Sequence, residues 1–577
     1  MNLEISRQTF TAEDGETLQY KSWLPHSGFK QSMVLLHRGH EHADRWDEVV
    51  PGLALEETAI FAWEARGHGQ SPGKRGHANG FMAYVRDLES FMLHLQTTYG
   101  VERERVALIA HSVGAVVAAT WVHDYAPPLA ALVLATPAFE VNLMVPGALT
   151  GIRLMQKVKP DSVIKSYVRG HWLTRDLEQQ KIYDADTSIS KDISARVLVD
   201  LFDTAKRVVD DAAVMETPMM LLSAGDDQVV LNSALSRFLF NYGGDCTKHV
   251  HLPGARHAIF HDVCRNEVVS AVREFVAEKF AEERVMGVAV ENRFTRSEYE
   301  ELQKPLKPVS LKAANYEFQK GSMQTLGKLS KGIKLGWEVG FDSGQSLDYV
   351  YENKAQGVGP IGKLIDRGYL DAIGWKGIRQ RRGMMRKGLD MALEKTAEAG
   401  LPRTLVDIAG GGGRYLMDVL KERTDGLQVL CRDWSEGALE VGRSTAKEWG
   451  LEERIRFEKG DAFDEESLAQ IQPAPAVAVV SGLYELFPSN ELLQRSLRGL
   501  NRAVPVGGWL VYTNQPWHPQ VEMIARVLVN RDGKPWIMRR RPQGEMDALV
   551  SDAGFEKVTQ WTDDFGIFTV AVAKKVG

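Results

Sequence analysis

A lone serine stands in the corner Ala110-His111-Ser112-Val113-Gly114, between an apolar run over residues 106–110 and a second apolar run of small residues. A strand that turns sharply into a helix strains the corner residue and exposes its side chain. Small residues two positions away on either side avoid a clash. A serine hydroxyl is a poor nucleophile until a base takes its proton. The corner therefore predicts a carboxylate and a histidine later in the chain, in the order Ser, acid, His. Both stand at the ends of apolar runs: Asp227 in MMLLSAGDDQVV and His257 in HLPGARHAIFHD. In such a set Asp227 orients the imidazole, and His257 deprotonates Ser112 and later protonates the leaving group. Asp226 is the rival acid, and His251 and His261 are rival bases; His68, His77 and His111 read as structural loop histidines. An oxyanion hole needs two N–H donors. Val113 at the helix start supplies one, and Gly39 in MVLLHRGHEH supplies the other by position.

A second constellation lies in TLVDIAGGGGRYLMDVL, where a strand runs through Asp407, Ala409 and four glycines, Gly411 and Gly413 among them, into a helix. Consecutive glycines allow positive φ and let a ligand come close to the backbone. The next strand candidate ends in Asp433, 26 residues beyond Asp407, where an acid can accept hydrogen bonds from a ribose diol. The third ends in KGDAF, which places Asp461 and Ala462 to meet an adenine edge. The glycines alone would suit a nicotinamide dinucleotide or S-adenosylmethionine. No basic residues cluster in the turn to neutralise a pyrophosphate, and an acid at its start, Asp407, suits a cationic methionyl end.

The elements that must position these residues fall into two alternating series. From Ser32 to Lys279, short β-rich runs (MVLLH, TAIFAWE, RVALIAH, LAALVLATP, TPMMLLSAG, TKHVHLPG) alternate with helical patterns, broken over about 140–214 by a polar stretch that reads as an inserted cap. From Thr404, seven further strand candidates define a second α/β sheet. The expected limits are a first domain over 1–282, a linker over 283–320 containing Pro305 and Pro308, a glycine-rich helical lid and acceptor region over 321–400, and a second domain over 401–577. Asp342, Tyr349, Tyr351 and Arg379 in the lid, with Tyr484 and Glu485 after the fourth strand, are candidates for holding an acceptor. Glu485 and His518 are candidate general bases. The lid's aromatics and charges also fit plain packing and solvation. No Asn-Pro-Pro-Tyr follows the fourth strand, so amide or base N-methylation is not indicated.

The chain has 577 residues, 70 Lys plus Arg against 76 Asp plus Glu, and a net charge of −6. That balance carries no broad cationic footprint for nucleic acid. The runs Arg379-Gln380-Arg381-Arg382 and Arg539-Arg540-Arg541 are locally cationic and read as solvated faces or as surfaces for anionic headgroups. Cys246, Cys264 and Cys431 lack paired or metal-ligand spacing, so a reducing, cytoplasmic setting without structural metal is expected. No signal pattern opens the sequence and no apolar run is long enough to span a bilayer.

With these residues in view, residues 8–280 resemble the monoacylglycerol lipase and lysophospholipase branch of the α/β-hydrolases, also described as serine aminopeptidase S33-like. The matching pieces are His37-Arg38-Gly39-His40-Glu41-His42, Arg66-Gly67-His68-Gly69-Gln70-Ser71, the serine corner, Leu173-Thr174-Arg175-Asp176, Asp227 with Val229-Val230, and His257. The family pattern Asp-x-Val-Val favours Asp227 over Asp226. Two departures stand out: Ala110 replaces a glycine, and Arg38 replaces a small residue, so that its guanidinium could bind a phosphate or carboxylate near the acyl pocket or point to solvent. Residues 400–577 resemble class I S-adenosylmethionine-dependent methyltransferases, with Ala409 in place of the usual first glycine and a closing antiparallel hairpin. The whole order resembles the bacterial bifunctional hydrolase–methyltransferase fusions of the YnbC type. The resemblance implies an α/β-hydrolase fold joined to a seven-stranded Rossmann-like fold. It implies hydrolysis of a lysophospholipid- or monoacylglycerol-like ester through an acyl-Ser112 intermediate, and S-adenosyl-L-methionine as methyl donor to an unspecified acceptor. It further implies small-molecule or lipid-like substrates with peripheral membrane association. Rival readings are that one half is a binding module, or that the second half is a dinucleotide oxidoreductase.

Overall fold

Runs such as Val106–His111, Thr58–Trp63 and Met219–Ala224 are buried along their whole length. A strand with no polar face must be covered on both sides, which favours parallel pairing with helices above and below. The computed structural model describes residues 3–245, 247–282 and 291–577, and two compact units divide the chain, Met1–Val285 and Met286–Gly577. The expectations for Cys246 and for residues 283–290 of the linker lie outside the described residues.

The first unit holds an eight-stranded sheet in the spatial order Leu3–Thr11, Thr17–Pro25, Thr58–Trp63, Gln31–Leu36, Val106–His111, Ala131–Ala135, Met219–Ala224, Thr247–Leu252. Its first three strands pair antiparallel and the rest parallel. Alternate residues enter two cores: Val34, Leu36, Leu108 and Ala110 on one face, Met33, Leu35, Ala107 and Ile109 on the other. The cap stretch lies between Ala131–Ala135 and Met219–Ala224. It comprises helices Ala148–Val158, Gly170–Leu173, Leu177–Ala185 and Ala195–Asp210 and a ladder of Val163–Lys165 with Asp192–Ser194.

The second unit holds a seven-stranded sheet in the order Ile455–Lys459, Gln428–Asp433, Thr404–Asp407, Val477–Val480, Trp509–Asn514, Thr569–Lys575, Phe555–Thr562. Five strands run parallel and the final hairpin antiparallel. All seven strands expected from the sequence are present. The chain order reverses beside Thr404–Asp407, so the crevice at its carboxyl end is where such sheets bind ligands.

The expected linker is corrected in part. Arg293–Gln303 and Leu311–Thr325 are helices of the second unit, each opened by a side-chain cap, Asn292 to the Thr295 N–H and Ser310 to the Ala313 N–H. Leu302 is buried and Glu298 pairs with Arg540, which turns a polar-looking segment into part of the fold. The region 321–400 is helical, through Lys331–Val339, Gly344–Glu352, Gly359–Leu370 and the 26-residue helix Ile373–Glu398. No helix among the described residues is long and apolar enough to cross a membrane.

Candidate active sites

Ser112 caps the helix Val113–Tyr125 with φ +56° and ψ −114°, a conformation L-residues rarely adopt. The sharp corner is possible because Gly114 is bare: a Cβ there would lie 2.5 Å from the His37 carbonyl oxygen. His257 Nε2 lies 2.8 Å from Ser112 Oγ, and His257 Nδ1 lies 2.8 Å from Asp227 Oδ2. Asp227 is fully buried, and its Oδ1 accepts the Val229 and Val230 N–H groups at 2.8 and 3.0 Å. The carboxylate is thus fixed by backbone donors on one oxygen and aims the other at the ring. Asp226 instead pairs with Arg256 at 3.2 Å. His261 Nε2 is bound to the Arg45 carbonyl and His251 to Ser223, so neither rival histidine reaches Ser112.

Val113 is the first helical residue, and its N–H has no intrahelical acceptor. Gly39 packs against it so closely that a Cβ on Gly39 would sit 2.9 Å from Val113 Cγ2. The loop carrying Gly39 is held by His37, which takes the Ala65 N–H on Nε2 at 3.1 Å and donates from Nδ1 to the Arg38 carbonyl at 2.8 Å. Burial pushes His37 down to about 4, so it keeps the neutral form this pattern needs. Arg38 does not point to solvent, and its Nε, on the wall of the cavity above Ser112, has no hydrogen-bond partner among the described residues. The side chain is buried, donates to Glu41 Oε1 at 2.7 Å and lies 4.8 Å from the centre of the Tyr183 ring. Burial opposes ionisation of Glu41, but the Arg38 and Arg45 guanidiniums outweigh it and hold the carboxyl well below its usual range.

Above Ser112 lies a cavity of about 260 Å³. His257, Gly39 and Val113 meet there with apolar side chains from the sheet edge and the cap, including Leu143, Ile152, Val197 and Leu201. Asp262 ties the cap to the segment bearing His257: it accepts hydrogen bonds from the Thr174 hydroxyl, the Arg175 N–H and the Arg256 N–H at 3.1, 2.7 and 2.8 Å.

In the second unit the glycine turn follows Thr404–Asp407. Gly411 and Gly413 take φ +57° and +63°, and a Cβ at Gly411 would meet no atom within 4 Å, so open space adjoins the backbone there. Gly413 caps the helix Arg414–Glu422. Asp433 accepts the Gly411 N–H at 2.9 Å and the Ser435 N–H at 2.8 Å. Asp407 is buried, accepts the Ala409 N–H at 2.9 Å and is bound by the Tyr415 hydroxyl. Burial raises it to about 7 despite these hydrogen bonds. Asp461 holds the Phe463 N–H at 2.8 Å beside the buried Ala462. Arg414 lies over the Trp449 ring, 5.9 Å from its centre. A donor set of bare backbone, Asp407 and Asp433 fits a ligand with a cationic end and a diol, and offers no cation for a pyrophosphate.

Residues 28–263 match the family described as "Serine aminopeptidase, S33", and residues 272–575 match the one described as "Putative methyltransferase". The Escherichia coli (strain K12) protein YnbC is 42% identical over 98% of this chain and 97% of its own. The chain belongs to the YnbC family. The Mycolicibacterium smegmatis monoacylglycerol lipase is 25% identical over 47% of this chain and 96% of its own. A Paleococcus ferrophilus monoacylglycerol lipase structure aligns with 48% of this chain and 99% of its own, at 22% identity and a TM-score of 0.41. This chain thus joins a lipase-like α/β-hydrolase domain to a domain of the family described as "Putative methyltransferase", on a Rossmann-like sheet.

The six acceptor-site candidates do not converge. Asp342 and Glu485 line a second cavity, of about 280 Å³. Asp342 is there engaged by Arg531 at 3.1 Å. Tyr349 is buried with its hydroxyl on Asp366, and Tyr484 is buried with its hydroxyl on Ser496 at 2.9 Å; both are packing residues. Tyr351 lies under the Arg382 guanidinium, and Arg379 donates to the Leu370 carbonyl at 2.9 Å. The candidate base His518 accepts the Gln520 N–H on Nδ1 at 3.0 Å. Its neutral ring therefore carries hydrogen on Nε2 and donates rather than accepts there. The sequence reading missed Arg381 as a lining residue of this cavity. Arg381 was hidden in a run that looked solvated. The second basic run is also internal: Arg539, Arg540 and Arg541 are 1–3% exposed and bind Glu545, Glu298, Asn490 and backbone carbonyls. It is no surface for anionic headgroups.

Proposed function

We propose that the protein is bifunctional: a serine esterase acting through acyl-Ser112, followed by an S-adenosylmethionine-dependent methyltransferase. The observation that carries the first half is the unbroken contact from Asp227 through His257 to Ser112 at the floor of an apolar cavity. Ser112 Oγ attacks the ester carbonyl while His257 Nε2 takes its proton; the Val113 and Gly39 amides receive the developing oxyanion. The protonated imidazole, steadied by Asp227, then gives its proton to the leaving alcohol. Water, deprotonated by the same histidine, releases the acid. The apolar walls suit the acyl chain of a monoacylglycerol- or lysophospholipid-like ester, and the relatedness to a monoacylglycerol lipase supports that class.

For the second half, Asp433 would take the ribose diol, Asp407 the cationic methionyl end, and Asp461 with Ala462 the adenine edge, while Ala409, Gly411 and Gly413 let the donor approach the backbone. Bound there, S-adenosylmethionine supplies an electrophilic methyl group on a sulfonium. The chain's own contribution is to hold donor and acceptor in line. The domain family and the donor set around Asp407 support this reading over the dinucleotide one.

Ser112→Ala tests the first half: hydrolysis of a short p-nitrophenyl ester and of a monoacylglycerol should fall by about 10⁶-fold, while calorimetry with S-adenosylhomocysteine is unchanged. Retained hydrolysis rejects acyl-Ser112. Calorimetry with S-adenosylhomocysteine against NAD tests the second half, and preferential NAD binding would make it an oxidoreductase.

A further inference from the structure

The cavity of about 280 Å³ in the second unit has a walled, largely apolar body and one polar end. Trp375, Trp536, Tyr369, Phe568, Ile378 and Met523 line the body. It is roughly twice the size of the ~150 Å³ cavity that admits one benzene ring. At the polar end, Arg381 Nη1 lies 3.0 Å from Glu485 Oε1, and both side chains are less than one-tenth exposed. Among the described residues Arg381 is the one lining guanidinium or ammonium, and it is already paired with a carboxylate. The other oxygen, Glu485 Oε2, is buried without a hydrogen-bond partner, as are Gln515 Nε2 and Trp536 Nε1, all from lining residues. His518 presents a further N–H, on Nε2. Buried polar atoms are rarely left unpaired, so a group of them facing one cavity calls for partners within it, from a ligand or from water.

Glu485 also stands in the right place. It follows Val477–Val480, the strand hydrogen-bonded to Thr404–Asp407, whose end opens the glycine turn.

We propose that this cavity binds the methyl acceptor, that the acceptor is a neutral ring-bearing molecule with a hydroxyl, and that Glu485 Oε2 takes the hydroxyl proton. This rests on the methyltransferase reading above. The O–H bond breaks with its proton going to Glu485 and its electron pair staying on oxygen. That oxygen forms a bond to the methyl carbon as the carbon–sulfur bond of the donor breaks, its electron pair staying on sulfur. Gln515, Trp536 and His518 can donate to a second oxygen where the acceptor carries one; 2-naphthol needs none to test the Glu485 end. A carboxylate is disfavoured at the Glu485 end: it brings no hydrogen for Oε2 and meets a like charge there, while Arg381 is already paired with Oε1. The fatty acid released by an esterase is therefore not the molecule methylated here.

The test uses the full chain and three probes, 2-naphthol, 2-naphthoate and decanoate, with S-adenosylhomocysteine present for binding and S-adenosylmethionine for turnover. The expected result is that 2-naphthol binds at least about tenfold more tightly than either acid and yields 2-methoxynaphthalene. Ile378→Trp, which fills the cavity, should remove naphthol binding and leave S-adenosylhomocysteine binding intact. Glu485→Gln should keep naphthol binding within about threefold and lower methyl transfer at least about 10²-fold. Equal or tighter binding of an acid, naphthol binding that survives Ile378→Trp, or bound naphthol that is never methylated would each overturn the proposal. If naphthol binds as described but S-adenosylhomocysteine does not bind at all, the methyl-donor reading fails instead.

Discussion

The two sites differ in how completely they are finished. Around Ser112 the groups of the proposed relay are already engaged with one another: Asp227 with two amides and a ring, His257 with a carboxylate and a hydroxyl, His37 with an amide and a carbonyl; the unpartnered atoms on that cavity's wall, Arg38 Nε and Trp63 Nε1, stand outside this chain of contacts. Around Glu485 several buried polar atoms have no partner. The first site's relay is ready before anything arrives, and specificity there is left to the walls of a mainly apolar cavity, Arg38 and Trp63 among them. The second is incomplete without its ligand, and discriminates by which molecule can satisfy it. Preorganisation favours rate; unmet hydrogen bonding favours selectivity, because a ligand lacking the right group leaves the cost in place.

This contrast can be broken most severely at His257. His257→Ala should lower ester turnover by about 10⁶-fold, and the double variant with Ser112→Ala should be no worse, since the groups act as a unit. Additive losses in steady-state assays would show that they do not. Asp227→Asn should cost about 10⁴-fold by upsetting the tautomer of His257, whereas Asp226→Asn should change turnover less than about twofold, because its partner is Arg256. Gly39→Ala sharpens the comparison: its Cβ, 2.9 Å from Val113 Cγ2, must push the donor loop outward. A loss of about 10²-fold in kcat with little change in KM is expected. The smallest effect belongs to the second unit. Asp407, raised to about 7, is mostly protonated at pH 6 and mostly ionised at pH 8. A cationic methionyl end prefers the ionised form, so S-adenosylhomocysteine affinity should rise about tenfold from pH 6 to pH 8. Calorimetry in buffers of different ionisation heat should show proton release near pH 6. Flat affinity would separate Asp407 from the cationic end.

The strands that carry chemistry were legible because they are apolar on both faces. The hairpin of Leu3–Thr11 and Thr17–Pro25 was not among the strands read, because it is an edge pair of alternating polar residues such as LEISRQTFT. Ser112 and His257 could be named from order and position, since an elbow and a strand end leave little freedom; choosing Asp227 over the adjacent Asp226 needed the family pattern Asp-x-Val-Val. The acceptor cavity could not. It is assembled by helices whose packing depends on long-range contacts, so Tyr349 and Tyr484 looked as available as Glu485. The arginine runs misled for a related reason. Charge reads as surface in one dimension, and only the fold shows that Glu545 and Asn490 come to meet Arg539 and Arg541.

Asp262 gives the cap a fixed end. Thr174 and Arg175 cannot move away from the sheet without stretching bonds shared with Arg256, the residue before the essential imidazole. The helix Ala148–Val158, whose Ala148 and Ile152 line the cavity, shows no such tether to that segment among the described residues. Evolution can therefore rewrite the far side of the cap, and with it the chain lengths admitted, while the machinery that cleaves the bond stays in register.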